Sequence, residues 1–246
     1  MLNFTFGNAK LNKDTAIFSL PAGHSCPFAS LCLSKADKVT GKITDGPKIE
    51  FRCYAASNEA IFRTTRDSRW HNFDSLRGKS AFEMYEVITK SLPKKDLIRI
   101  HASGDFFSQA YFDAWVMVAQ QNPNKTFYAY TKALPFWVAR LNQIPNNLKL
   151  TASIGGKSDA LIYQYDLKFV QVVFSKAEAK KLKLKIDHDD TLAWKQDKSF
   201  AILLHGTQPA GTTAAKAWSK LKEISGYSKG DYWGGRNRKK NLTVAA

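Results

Sequence analysis

Acidic residues are scarce in this chain of 246 residues: 21 aspartates and glutamates stand against 37 lysines and arginines, a formal net charge of +16. The imbalance points to an anionic partner, either nucleic acid or a phosphate-bearing ligand, and does not choose between them. Long apolar runs are missing too. The longest, around Ala114 to Ala119 and Phe169 to Phe174, fall far short of the roughly 18 residues needed to cross a bilayer. Met1 to Lys13 lacks the basic-then-apolar order of a secretory leader, so a cytoplasmic protein with no membrane partner is expected. Cysteine is rarer still. Three is an odd number that suits no disulfide framework, and in a reducing compartment it leaves metal binding, catalysis or plain burial. Hydrophobic residues make up 44% and aromatics 13%, enough for one substantial core, which excludes disordered and fibrous classes.

The chain carries no internal repeat. Residues 1–230 read as a single α/β domain with a cysteine-bearing loop at 21–53, and 231–246 as a basic C-terminal tail. Ala16 to Leu20 is strand-like and closes at Pro21 and Gly23. Inside the loop, Lys38 to Ile43 and Lys48 to Phe51 flank the turn signal Thr44-Asp45-Gly46-Pro47, which predicts a small hairpin. A helix starts at Tyr54, and a second runs from Ser80 to Leu92 with Phe82, Met84, Tyr85, Val87 and Ile88 as its apolar stripe. Alternation follows. Strands at 97–101, 126–131, 148–153, 169–174 and 200–204 are separated by helical stretches, with Ser108 as one N-cap, Pro135 in a first helical turn, and a last helix at 212–224. With the strand at Ala16 this makes six. Such alternation means parallel strands joined by right-handed crossovers, hence an open doubly wound sheet or a complete or partial barrel. Either places ligands at the carboxyl ends of strands.

Those ends are polar or small: the cysteine loop, Ser103-Gly104-Asp105, Thr131-Lys132, Ser153 to Gly156, Ser175-Lys176 and His205-Gly206-Thr207-Gln208. The cysteines are spaced Cys26, five residues, Cys32, twenty residues, Cys53. Three thiolates without a fourth suit a 4Fe-4S cluster that keeps one iron open to a ligand. Zinc is the alternative, with His24 completing a tetrahedral set of three thiolates and one imidazole. Three buried thiols without metal is the plainest alternative, since free cysteine packs as a small hydrophobe.

A cysteine loop after strand one, a helix right after the third cysteine and an S-G-D step after strand two resemble the radical S-adenosylmethionine superfamily. The resemblance implies a partial (β/α)6 barrel in which Cys26, Cys32 and Cys53 bind the cluster and Tyr54 is the neighbouring aromatic. It also implies that Ser103, Gly104 and Asp105 meet the methionine moiety of S-adenosylmethionine, and that an electron donor reduces the cluster. The usual loop of that superfamily has gaps of three and two residues, and its aromatic precedes the third cysteine; this chain departs on both counts. A closer similarity is to the phage gene-product-88 family. Ser19-Leu20-Pro21-Ala22-Gly23 with Cys26-Pro27, Cys53-Tyr54-Ala55, His101 to Phe106 followed by Tyr-Phe-Asp-Ala-Trp, Tyr130-Thr131-Lys132 and His205 to Pro209 carry it. This resemblance implies a phage or prophage origin, hence the host cytoplasm, and no established reaction.

Two functions follow as expectations. One is an iron–sulfur enzyme that uses S-adenosylmethionine on a nucleic acid, a nucleotide or another substrate. The other is a zinc-stabilised protein that binds nucleic acid without catalysis. Arg236, Arg238, Lys239 and Lys240, near Tyr232 and Trp233, are the candidate nucleic-acid contacts, because cations mixed with aromatics suit a flexible strand. Among other strand-end residues, His101 reads equally as a proton donor or a hydrogen-bonded core residue. His205 and Gln208 read as an anion site or a helix cap, Lys132 as an anion contact or a solvated lysine, and Gly155-Gly156 as a close approach or a turn. The run Lys176 to Lys185 reads as a phosphate contact or, more plainly, a solvated face.

Overall fold

A computed structural model describes residues 1–225 apart from Ala9, so the basic tail at 231–246, with Arg236, Arg238, Lys239 and Lys240, lies outside the described residues. β1 (Phe4–Phe6) and β2 (Thr15–Phe18) form a hairpin, and the cysteine loop that follows contains a second, β3 (Ser34–Ala36) with β4 (Ile43–Asp45). Three helices come next, α1 (Tyr54–Ile61), α2 (Arg63–Leu76) and α3 (Ala81–Ser91), and then β5 (Leu97–Ile100). Strand and helix now alternate through α4 (Gln109–Gln120), β6 (Thr126–Thr131), α5 (Leu134–Val138), β7 (Leu148–Ser153), α6 (Ala160–Gln164) and β8 (Phe169–Val173). After α7 (Lys176–Lys181) and α8 (Thr191–Lys195) come β9 (Phe200–Leu203) and α9 (Thr213–Ser225).

Local chemistry sets these limits. Ser80 and Glu83 cap α3 reciprocally, each side chain meeting the other's backbone N–H. Ser108 caps α4 by accepting from Tyr111 N–H, and Pro135 sits in the first turn of α5. The inner hairpin departs from expectation. Its turn lies at Asp37 to Gly41, where Asp37 Oδ1 accepts from Val39 N–H, Thr40 N–H and the Thr40 hydroxyl, and Gly41 takes φ +73°. An aspartate that collects three local donors outcompetes the Thr44 to Pro47 signal.

Among the described residues seven strands form one sheet in the order β1-β2-β5-β6-β7-β8-β9, with β1 antiparallel and the rest parallel. The six expected parallel strands are present, but the sheet does not close, and a radical S-adenosylmethionine barrel is not seen. The reason is at the first edge: β1 occupies the free side of β2, so β9 has no strand to close on. Double winding does not describe it either, since the strands follow chain order with no reversal.

One face of the sheet, through Phe18, Ile98, Ile100, Phe127 and Leu150, packs on Tyr111, Phe112, Trp115, Trp137 and Ile162 in the main core. On the other face Tyr128, Val170 and Phe200 pack on Leu192 and Ala193 of α8. There the Arg99 guanidinium lies 2.6 Å from Asp190 Oδ2, 5.2 Å from the Tyr130 ring centroid, and the Tyr128 hydroxyl donates to the same carboxylate. Burial works against the Arg99 charge and Asp190 overrides it, holding the guanidinium pKa above its ordinary value. Breaking such a pair leaves a buried charge uncompensated. Arg99→Met is expected to cost about 3–5 kcal/mol in urea denaturation, and Arg99→Met combined with Asp190→Asn to recover most of it. A single-variant loss under about 1 kcal/mol would contradict the assignment.

Candidate functional site

The loop at 21–53 crosses the carboxyl ends of the parallel strands and is fastened to several of them. Leu20 N–H donates to Ser103 O after β5, Leu31 N–H to Gly155 O after β7, and Ala29 forms an isolated bridge with Gly156. After β9, Gln208 pairs with the backbone of Arg52, accepting from its N–H at 2.8 Å and donating to its carbonyl at 3.2 Å. Gln208 therefore fixes the peptide that leads into Cys53, and the helix-cap and anion readings do not describe it. His205 donates from Nδ1 to Leu203 O and lays its ring against Tyr54 at 4.6 Å between centroids.

The three thiols share one neighbourhood. The charges of Asp105, Cys53 and Cys32 all bear on Cys26, and the charge of Cys32 bears on Cys53. Burial first, then these like charges, pushes the Cys26 thiol well above its ordinary value and the Cys53 thiol up to about 11. Local donors pull the other way: Gly23 N–H reaches Cys26 Sγ at 3.3 Å, and Ala55 and Ala56 N–H at the start of α1 face Cys53, the N-cap. Among the described residues no group of three or more histidine, cysteine, aspartate or glutamate side chains stands together in a way that could hold a metal ion. The His24 Nε2–H donates to Ala36 O, and its ring lies 4.9 Å from that of Trp70. It anchors the inner hairpin.

Ser103, Gly104 and Asp105 lie under the loop, engaged with the protein itself. Asp105 accepts from the Thr131 hydroxyl at 2.6 Å and from Lys132 and Phe106 N–H, each at 2.8 Å. Gly104 has φ +83°, and a Cβ there would lie 2.5 Å from Ser25 Oγ and 2.6 Å from Leu20 Cβ, so this glycine is what lets the loop pack onto β5. Ser103 gives its hydroxyl to Glu59, and the Tyr54 hydroxyl donates to Ala102 O. The Ser103 hydroxyl and most of the Asp105 acceptor positions are thus engaged within the protein itself. Lys132 spends its ammonium on Ser153 O, Ser153 Oγ and Ile154 O, tying β6 to β7. His101, buried at φ +67° with Nε2 2.9 Å from the Tyr111 hydroxyl, is driven by burial to a pKa of about 3. It is a neutral core residue, as one of its two readings held. Asp159 accepts from both Gly155 and Gly156 N–H, which makes that pair a turn.

Sequence reasoning missed Glu59, Arg66 and Arg69. Glu59, buried in α1, accepts from Ala22 N–H at 2.9 Å and from Arg69 Nη1 at 2.7 Å, while Arg66 donates to Glu59 O, Lys38 O and Val39 O. The available signal was α2 itself, a helix too polar to present an apolar stripe and so bound to bridge between elements.

A family model described as Gene product 88 matches residues 2–220. Two curated relatives, both called Gene 88 protein, from Mycobacterium phage L5 and Mycobacterium phage D29, are each 30% identical over 156 residues. Each alignment covers 58% of this chain and 58% of the relative, so the chain spans less than two thirds of their length. No solved structure matches the chain. Among the described residues no helix is long and apolar enough to cross a membrane.

Burial raises the Asp105 carboxyl to a pKa of about 6, against its three hydrogen-bond donors, which lower it. The unfolded value is about 3.9, so the folded protein holds this proton more tightly. The stability it contributes is full below about pH 4 and is lost as the pH rises through about 6, a loss of about 3 kcal/mol. The Asp105 carboxyl carbon is expected to titrate near pH 6 by NMR, and Asp105→Asn to remove that part of the pH dependence of urea unfolding. Titration near pH 4 would refute it.

Proposed function

This chain belongs to the Gene product 88 family, and on that premise we propose that its working site is the cysteine loop over the sheet's carboxyl edge, where Cys26, Cys32 and Cys53 hold an iron–sulfur cluster. The observation that carries the reading is that three half-buried thiols from distant points of one loop lie near enough for their charges to bear on one another. The cysteine count favours a cluster over a single ion: three thiolates leave one iron of a 4Fe-4S centre open, whereas a structural zinc takes four donors. A cluster spreads its cysteines over different irons and tolerates wider separation.

When bound, such a cluster supplies one-electron transfer and, at an iron without a cysteine, a coordination position. The residues of the chain do the rest. Gly23, Ala55 and Ala56 point N–H groups at sulfur and favour the thiolate. Gln208 fixes the peptide before Cys53, and Phe28, two residues after Cys26, packs edge-to-face on Phe136 at 5.2 Å. S-adenosylmethionine has no part in the proposal, because Ser103 and Asp105 are spent within the fold.

Anaerobic purification with iron and sulfide assays tests this. About four irons per chain and visible absorption are expected, with each of Cys26→Ser, Cys32→Ser and Cys53→Ser losing most of the iron and His24→Ala keeping it. Colourless protein whose three thiols react freely with Ellman's reagent after unfolding, or stoichiometric zinc lost in His24→Ala, would overturn it.

A further inference from the structure

Of the 37 basic residues only five, and of the 21 acids only one, lie after Ser225, so the described part of the chain is itself strongly basic. Its charge is concentrated at the β9 edge. Lys176, Lys180 and Lys181 on α7, Lys183 and Lys185 just after it, and Lys216, Lys220 and Lys222 on α9 are all exposed. Among the described residues none of the eight forms an ion pair. The two helices flank β9 from the two faces of the sheet: Ala179 of α7 packs with Val173 and Ala201, Ala214 and Leu221 of α9 pack with Val172, Phe174 and Leu204, and Leu203 meets both clusters. Lys176 with Lys180, and Lys216 with Lys220, repeat at four residues, about 6 Å along each helix axis.

Beside these lysines the sheet opens. β7 and β8 pair only at Ala152 with Phe169 and Ser153 with Val170, and beyond them a cleft of about 220 Å³ is lined by Leu31, Phe51, Gln171, Phe174, Glu50 and Glu178 among others. Phe51 and Phe174 meet edge-to-face at 6.3 Å, and both pack in the same cluster as α9. Among the described residues the Gln171 amide makes no side-chain hydrogen bond. It therefore offers both a donor and an acceptor, and Glu50 adds acceptors, while Glu178 Oε2 is taken by the Phe174 N–H at 2.7 Å. The cleft is too small for a drug-sized ligand and suited to one flat ring system with polar edges. It also touches the cysteine loop, since Leu31 precedes Cys32 and Phe51 stands two residues before Cys53.

We propose that this edge binds single-stranded nucleic acid, with the α7 and α9 lysines along the phosphate backbone and one base turned into the cleft at Phe51 and Phe174. A duplex keeps its bases stacked and cannot fill the cleft, whereas a single strand offers both charge and a free base. The inference stands whether or not the cysteines hold iron.

Fluorescence polarisation of a labelled mixed-sequence DNA strand of about 16 nucleotides containing 2-aminopurine tests it on the full chain. Binding is expected to weaken with salt. The variant Lys180→Ala, Lys183→Ala, Lys216→Ala, Lys220→Ala should lose at least about tenfold in affinity and flatten the log–log salt slope by about 3. Phe174→Leu and Gln171→Ala should keep the slope and lose the 2-aminopurine signal. The control Lys79→Ala, Lys90→Ala, Lys94→Ala, on other exposed positions, should bind as wild type. Equal loss in that control, duplex binding as tight as single strand with no 2-aminopurine signal, or full competition by polyglutamate would each overturn the proposal.

Discussion

The carboxyl edge of this protein depends on one buried carboxylate. Glu59 Oε1 gathers Ala22 N–H from the start of the cysteine loop, the Arg69 guanidinium from α2 and the Ser103 hydroxyl from the end of β5. Three segments far apart in the chain are therefore fixed by one oxygen. Its charge is not free-standing, since Arg69 also donates to Ala55 O and Arg66 closes over the Glu59 carbonyl. Pairs of this kind give little net stability compared with an apolar substitute but are costly to break from one side. Their effect here is positional: they decide where the cysteine loop begins, and so where Cys26 falls.

The same logic recurs along the edge. Asp105 holds the end of β5 to the end of β6 through Thr131 and Lys132, and Lys132 in turn holds the end of β6 to the end of β7. Gln208 brings the end of β9 to the backbone of Arg52. In an open parallel sheet the strand ends present polar groups that need partners, and in many α/β proteins a ligand supplies some of them. Here side chains supply most, and the cysteine loop lies over the result. The space left open is at the side, where β7 and β8 part.

Much of this was legible in the sequence, for identifiable reasons. The six parallel strands, the helix start at Ser80, the Ser108 cap and the convergence of polar strand ends rest on local patterns, period and cap chemistry, and they are where expected. Closure was not legible, because it depends on whether β1, three residues with no alternation to announce them, takes the outer edge of β2. Nor was the meaning of Ser103-Gly104-Asp105: the motif marks a strand end under a loop, but whether its carboxylate faces a ligand or Thr131 is decided by the neighbouring strand. Lys132 read as an anion contact or a solvated lysine, and Gln208 as an anion site or a helix cap, because nothing local says that a lysine or glutamine will be spent on backbone carbonyls. Arg66, Arg69 and Glu59 were hidden for a related reason. Charged residues on a polar helix ordinarily mean solvent, and only the tertiary fold turns them inward.

The electrostatics of the loop narrow what the cysteines can be. Three thiolates near Asp105 and Glu59 would place several negative charges together, with Arg69 paired to Glu59. Burial and mutual repulsion therefore favour the protonated thiols while no cation is present, which is the direction in which Cys26 and Cys53 are displaced. The large positive charge of the protein does not help, because exposed lysines on α7 and α9 act through solvent that screens them within about 10 Å. A bound metal centre inverts the balance: its charge makes the thiolate the stable form and releases protons as it binds. Under the proposed reading the loop would therefore pass from neutral thiols to metal-bound thiolates, and that passage would become easier as the pH rises.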